Sequence, residues 1–290
     1  MEIARGRYRL IRRLGEGGTG VVYQAVDLVL GRTVAIKALH PAFDTELLRR
    51  EGRSLAQMSH PGVVALHDLV EHHGRPYLVM EYVDGCNLEQ WLARIEAIDL
   101  EKALSIFTRI ARIVVDAHAL GLLHCDLKPA NVLVSTAGEI KLSDFTLARL
   151  ALGGRLPAPA GGSERYAAPE ALRGGHVDAR ADVYGLGAIL RRLLESASET
   201  SPAETQIRAV IARSTAALPD DRYSTAAELL EALPPTGGDL TRISGRSAVS
   251  ELTRILPRSG ATRRKTRILT PAITAVAAVA IVGGAIFSRF

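Results

Sequence analysis

The spacing of apolar residues changes character once along the chain, and that change constrains the fold more than any other feature. As far as residue 82 the apolar residues fall in short, β-branched runs: Tyr8–Leu14, Val21–Val26, Thr33–Ala38, Val63–His67 and Tyr77–Tyr82. One helix-like stretch, Thr45–Met58, interrupts them. From residue 88 onward the spacing is helical, as in Leu104, Phe107, Ile110, Ile113, Val114 and Ala117, and again in Val183, Leu186, Leu190, Leu193 and Leu194. A mainly β half followed by a mainly α half predicts an α+β chain with two lobes and a cleft between them.

Beyond residue 233 the pattern changes again. Residues 234–267 are rich in Pro, Gly, Ser, Thr and Arg without an apolar period, and they read as a basic disordered linker. After Pro234 there are nine Lys or Arg against two acids, Asp239 and Glu251. The tail therefore carries +7, and with a net charge of +5 the first 233 residues carry −2. The basic balance belongs to the tail and implies no nucleic-acid binding by the globular part. A weak repeat runs through it: D-L-T-R-I at 239–243, E-L-T-R-I at 251–255 and K-T-R-I at 265–268.

Residues 268–287 then form an uncharged run of 20, which as a helix spans about 30 Å, the thickness of a bilayer core. With R-R-K-T-R before it, the run reads as a membrane-spanning helix with the basic flank on the cytoplasmic side and the C-terminus just across the bilayer. The start, M-E-I-A-R-G-R-Y, has no apolar segment of the kind a secretory leader needs. Cys86 and Cys125 are too few for a disulfide framework and fit no metal spacing; both read as reduced thiols.

Five segments of residues 1–233 point to chemistry on phosphate. L-G-E-G-G-T-G-V-V at 14–22 is followed by β-branched residues, not by a helix, and has no Lys after its last Gly. That excludes a dinucleotide-binding turn and a Walker loop, and leaves a glycine hairpin whose backbone N–H groups can approach phosphates closely. V-A-I-K at 34–37 puts Lys37 in an apolar strand, where it needs a partner; Glu51 on the following helix-like stretch is the candidate, and such a pair can hold α- and β-phosphates. H-C-D-L-K-P-A-N at 124–131, S-D-F-T at 143–146 and Y-A-A-P-E at 166–170 complete the set. Phosphoryl transfer needs a carboxylate to take a hydroxyl proton, a cation near the moving phosphate and hard oxygen ligands for Mg²⁺. Asp126, Lys128, and Asn131 with Asp144 supply them in that order.

In this order and spacing the chain resembles a eukaryotic-type (Hanks) Ser/Thr protein kinase of the bacterial membrane-anchored kind, over about residues 8–233. The resemblance implies a bilobal protein-kinase fold, with an N-lobe at 8–82 and a C-lobe at 83–233, ahead of the linker and the transmembrane helix. It implies ATP and Mg²⁺, with Mn²⁺ as an alternative ion, and protein substrates, with Thr241, Thr253 and Thr266 of its own tail as candidates. Leu14, Gly15, Glu16, Gly17, Gly18, Thr19, Gly20, Val21 and Val22 would cover the nucleotide, with Val22 and Ala35 against the adenine and Leu133 also at the cofactor. Met80 would be the gatekeeper, and the backbone of Glu81 and Val83 would meet the adenine edge. Lys37 would pair with Glu51, Asp126 would be the base, Lys128 would sit near the transferred phosphate, and Asn131 and Asp144 would hold the metal. Glu170 would form a buried ion pair with Arg222, and Asp182 would brace the catalytic loop.

Three positions depart from the family pattern. Cys125 stands where an Arg that binds an activation-loop phosphate is usual, and residues 147–162 contain no Ser, Thr or Tyr; together these imply activation without phosphorylation of that stretch. Thr146 stands where Gly is usual, which either locks the metal motif inward or distorts it. Only about 25 residues separate Leu194 from Arg222, a reduction that implies substrates chosen by location. A membrane-anchored pseudokinase scaffold and a small-molecule kinase are the alternatives. Retention of Lys37, Asp126, Asn131 and Asp144 argues against the first, and Ala168–Glu170 with Arg222 argues against the second.

Overall fold

A computed structural model of the chain describes residues 1–40, 60–145, 163–197 and 203–234. The expected helix-like stretch at 45–58, Thr146 with residues 147–162, the Thr-Arg-Ile repeats and the apolar run at 268–287 lie outside the described residues. Among the described residues no helix is long and apolar enough to cross a membrane.

The N-terminal half is one antiparallel sheet of six strands in the order β1-β2-β3-β4-β6-β5. They are β1 (Glu2–Ile3), β2 (Tyr8–Gly17), β3 (Gly20–Asp27), β4 (Arg32–Leu39), β5 (Leu66–His72) and β6 (Arg75–Glu81). Four of the expected strands fall on β2, β3, β4 and β6. The two-residue β1, ahead of the expected start at residue 8, pairs with the beginning of β2. β4 lies in the middle, and its residues 34–39 are all buried. That accounts for an unbroken apolar run with a single lysine in it.

The fifth strand differs from expectation. Val63–His67 was the expected span, but pairing starts at Leu66 and runs to His72. The turn decides this. His73 and Gly74 both have positive φ, 51° and 71°, the two-residue geometry that matches the twist of a hairpin and fixes His72 opposite Arg75. Val63 and Val64 instead reach the other lobe: Val64 N–H donates to the Leu142 carbonyl at 2.9 Å, and the Leu142 N–H to that of Gly62 at 2.8 Å.

The C-terminal half begins with β7 (Gly85–Asn87) and α1 (Leu88–Leu92), then α2 (Leu100–Ala119). A 3₁₀ turn at Pro129–Asn131 leads into β8 (Val132–Ser135) and β9 (Ile140–Leu142), which with β7 form a small sheet of order β7-β8-β9. A 3₁₀ turn at Ser163–Tyr166 precedes α3 (Pro169–Leu172), α4 (Ala179–Leu194), α5 (Ala203–Ser214) and α6 (Ala226–Glu231). Asp99 caps α2 by accepting from Lys102 N–H at 2.6 Å, and Asp178 caps α4 by accepting from Arg180 N–H at 2.8 Å. Leu104, Phe107, Ile110 and Val114 of α2 meet Val183, Leu186, Ile189 and Leu193 of α4 in one core. The short segment between Leu194 and Arg222 contains α5, whose Ile207, Val210 and Ile211 are buried as it packs on α4. Gly185 lets α4 approach the loop at Leu127: a Cβ there would lie 2.7 Å from Leu127 Cβ.

One ion network in the first lobe was not legible beforehand. Fully buried Asp27 accepts from Arg7 and from the N–H groups of Val29 and Leu30, while Arg7 also reaches Asp68 at 3.1 Å. Burial pushes the Asp27 carboxyl up, but the hydrogen bonds from Arg7 and the two backbone groups outweigh it and hold it below its ordinary value. Glu170 is displaced the same way, burial being outweighed by Arg222. A depressed folded value gives stability that is complete above the unfolded value and is lost as pH falls through the folded one. The thermal midpoint is therefore expected to be level from about pH 7 to 5 and to drop below about pH 4, where unfolded carboxylates take up protons. In Arg7→Met the difference between midpoints at pH 7 and pH 3.5 (about those values) should shrink. Calorimetry across that range checks both, and an unchanged acid slope in the variant would remove Asp27 from the account.

Candidate active site

Lys37 lies on β4, opposite Val22 of β3 and Leu78 of β6. Its side chain is 4% exposed, and its ammonium donates to Asp144 Oδ1 at 2.8 Å across 107 positions of sequence. Glu51, the partner expected from the sequence, lies outside the described residues. Burial pushes the Asp144 carboxyl up, but the charge and hydrogen bond of Lys37, with Lys128 adding to them, hold it below its ordinary value. Asp144 is an anion at neutral pH, with Oδ2 left over.

The loop at 124–131 is held from beneath by one buried carboxylate. Asp182, 1% exposed on the first turn of α4, accepts from His124 N–H at 2.8 Å and from Cys125 N–H at 2.7 Å. It also pairs with His118 Nε2, near the end of α2, at 2.8 Å. Cys125 has φ of +63° and Asp144 of +61°, conformations that L-residues seldom adopt and that surrounding contacts must impose. His124 connects the two segments. Its Nε2 faces the Ser143 carbonyl at 3.0 Å and its Nδ1 accepts from Asp126 N–H at 3.3 Å, which places the ring proton on Nε2. The ring also packs on Phe145, centroids 4.6 Å apart.

Asp126 is 37% exposed, and its Oδ2 takes Lys128 Nζ at 2.7 Å and Asn131 Nδ2 at 3.0 Å. Asn131 Nδ2 also donates to the Asp126 carbonyl at 2.8 Å. These bonds orient both side chains. Asp126 keeps Oδ1 for a hydroxyl, and Asn131 keeps its amide oxygen. Among the described residues neither atom has a hydrogen-bond partner. Asn131 Oδ1 and Asp144 Oδ2 are thus two hard oxygens, the donor type that Mg²⁺ takes, and the residues present fit such an ion.

The glycine hairpin is formed by the end of β2 and the start of β3, with Gly17 opposite Gly20. Gly20 is required by packing: its φ is +146°, and a Cβ would lie 2.1 Å from the Ala38 carbonyl oxygen. Gly15 and Gly17 are not, since a Cβ at either meets nothing within 4 Å. Packing against the rest of the protein therefore does not require glycine at either position. Ala35 faces Met80 across β4 and β6, and Leu133 lies on β8 between Asn87 and Lys141. Glu81 N–H is committed to the Ala65 carbonyl at 2.9 Å, and its carboxylate is held by Lys141 at 2.9 Å. Val83 N–H has no backbone partner among the described residues.

The structure thus brings Lys37, Asp126, Lys128, Asn131 and Asp144 together. Sequence reasoning missed Lys141, His118 and His124, whose roles depend on contacts between distant segments. The expected ion pair of Glu170 with Arg222 is present at 2.7 Å, and Asp182 braces the loop as expected.

Comparisons with known proteins agree with this geometry. The protein kinase domain family matches residues 8–243. The chain is 38% identical to the probable serine/threonine-protein kinase PknB of Lactococcus lactis, over 65% of this chain and 31% of that protein. It is 32% identical to the serine/threonine-protein kinase PrkC of Bacillus subtilis, over 87% of this chain and 44% of that protein. It is 39% identical to the serine/threonine-protein kinase PknA of Mycobacterium tuberculosis, over 63% of this chain and 46% of that protein. The matched regions span less than half the length of these curated relatives.

Proposed function

The chain belongs to the protein kinase domain family, and from that premise we propose that it transfers the γ-phosphate of ATP to Ser or Thr hydroxyls of proteins. The observation that carries the reading is Asp126, fixed by Lys128 and Asn131 through Oδ2 with Oδ1 open, beside a Lys37–Asp144 pair. The family uses ATP and a divalent metal; Mg²⁺ on Asn131 and Asp144, with Mn²⁺ as a substitute, is part of the proposal. Bound there, the ion would supply charge neutralisation on the phosphoryl oxygens.

The residues act as follows. Gly15, Gly17 and Gly20 with their neighbours Leu14 to Val22 cover the phosphates, Lys37 neutralises them, and Ala35, Met80, Leu133 and the 81–83 backbone hold the adenine. Asp126 Oδ1 accepts the proton of the incoming hydroxyl as its oxygen bonds to the γ-phosphorus. The bond from that phosphorus to the β–γ bridging oxygen breaks, ADP leaves with the electron pair, and Lys128 offsets charge on the moving group.

The uncharged run at 268–287 and its basic flank support anchoring in a membrane with the catalytic part on the cytoplasmic side. Thr241, Thr253 and Thr266 are candidate acceptors within the chain itself.

The test is incorporation of label from γ-labelled ATP into the full chain and into generic protein acceptors, followed by mapping of the modified residues. Label on Ser and Thr that requires Mg²⁺ or Mn²⁺, and falls to background with excess chelator, is the expected result. No incorporation with either metal would sink the reading.

A further inference from the structure

Outside the residues assigned above, one charged cluster joins three elements of the C-terminal half. Glu89, in the first turn of α1, holds groups from two other elements. Its Oε2 accepts from the Tyr166 hydroxyl at 3.4 Å. Its Oε1 lies 3.6 Å from Arg165 Nη2 and 3.7 Å from Arg192 Nε. Both separations exceed hydrogen-bond length, so two guanidinium groups share one carboxylate without a close bond from either. Arg165 otherwise lies over the Tyr166 ring at 5.0 Å and is 63% exposed. Arg192, 21% exposed, donates through Nη1 to Ser196 Oγ at 2.7 Å. One carboxylate between two arginines leaves a net charge of +1, open to solvent on the Arg165 side. Planar guanidinium donors of this kind suit a second carboxylate.

The cluster stands on elements that also support the loop of Asp126. α1 packs on the Pro129–Asn131 turn, α4 carries both Arg192 and Asp182, and the Ser163–Tyr166 turn packs on α4. In an extended peptide the residue two places before the hydroxyl lies about 7 Å along the chain.

The sequence of the tail says which peptide position carries the charge. Its only two acids are Asp239 and Glu251, and each stands two residues before a threonine, Thr241 and Thr253. The third copy has Arg264 at that place before Thr266. We propose that Arg165 and Arg192, held in place by Glu89, recognise an acidic side chain two residues before the accepting hydroxyl. Acidic Thr peptides are then the preferred substrates, with Thr241 and Thr253 of this chain among them and Thr266 a poor one. This rests on the kinase reading above.

The test uses the full chain with Mg-ATP and a synthetic peptide of residues 237–243, whose only hydroxyl is Thr241. Replacing Asp239 by Asn in the peptide should lower kcat/KM about tenfold, and replacing it by Lys should lower it further. In the Arg192→Glu chain the order should invert, the Lys peptide becoming better than the Asp peptide. Mass spectrometry of the unaltered chain should find Thr241 and Thr253 labelled before Thr266. Equal rates on the Asp, Asn and Lys peptides overturn the inference and leave the kinase reading standing. No label on any peptide or on the chain overturns both. Should the Arg192→Glu chain lose its circular-dichroism signature, the peptide series on the unaltered chain decides alone.

Discussion

Asp126→Asn should lower kcat about a thousandfold while leaving nucleotide affinity within about twofold. The asymmetry follows from which atoms are committed. Asn retains the size and shape of Asp, and its amide oxygen can still accept from Lys128 or Asn131, so the loop keeps its shape. What is lost is a carboxylate oxygen able to take a proton, and with it the charge that Lys128 balances at 2.7 Å. Asp126 is partly exposed, so the substitution should move the thermal midpoint by no more than a degree or two. Steady-state kinetics, titration with a fluorescent ATP analogue and calorimetry together decide the matter. A variant that keeps a tenth of the activity would remove Asp126 as base. A variant that loses nucleotide binding as well would show that its role is structural.

The second large effect is on stability. The Arg222 side chain is wholly buried, and all five of its N–H donors are used. Two go to Glu170 at 2.7 and 2.8 Å, and the others go to the carbonyls of Ala216, Arg180 and Ala217 at 2.9, 3.1 and 3.3 Å. Arg222→Met fills much of the same volume but leaves the Glu170 carboxylate and three carbonyls facing a thioether. A cost of about 3–5 kcal/mol is expected, a fall of roughly 10 °C in the midpoint for a domain of this size. The double variant Arg222→Met with Glu170→Met should be more stable than Arg222→Met alone, because the uncompensated buried charge is gone. A double variant no better than the single would show that the three carbonyls, not the ion pair, set the cost.

Most of the catalytic constellation was legible in the sequence because phosphoryl transfer needs few residue types in a fixed order. Lys37, Asp126, Asn131 and Asp144 each sit in a local motif. Strands β4 and β6 were legible because each carries a run of buried apolar residues, and β2 and β3 were legible from their short apolar runs, although β2 buries only Tyr8. β5 was displaced from its expected place because its register is set at His73–Gly74, outside the strand itself. The contacts that remained hidden join residues far apart without any local pattern. Arg7 to Asp68 spans 61 positions, Glu81 to Lys141 spans 60, and Glu89 to Tyr166 spans 77. A carboxylate on a surface helix has the same local sequence whether it meets solvent or two arginines, so Glu89 gave no sign of its role. Lys37 meets Asp144, 107 positions away, by a contact of the same kind; Glu51, its expected partner, lies outside the described residues.

The grip of Asp182 on the catalytic loop has a consequence for how such a chain can evolve. The carboxylate holds main-chain N–H groups at 124 and 125, and every amino acid except proline brings that N–H with it. The shape of the loop is therefore indifferent to most of what stands at position 125, provided the residue accepts a left-handed backbone. An arginine side chain there could pair with a phosphate on a neighbouring segment, and the two main-chain bonds to Asp182 do not depend on that exchange. At this position the side chain can vary while the main-chain bonds that hold the loop stay the same.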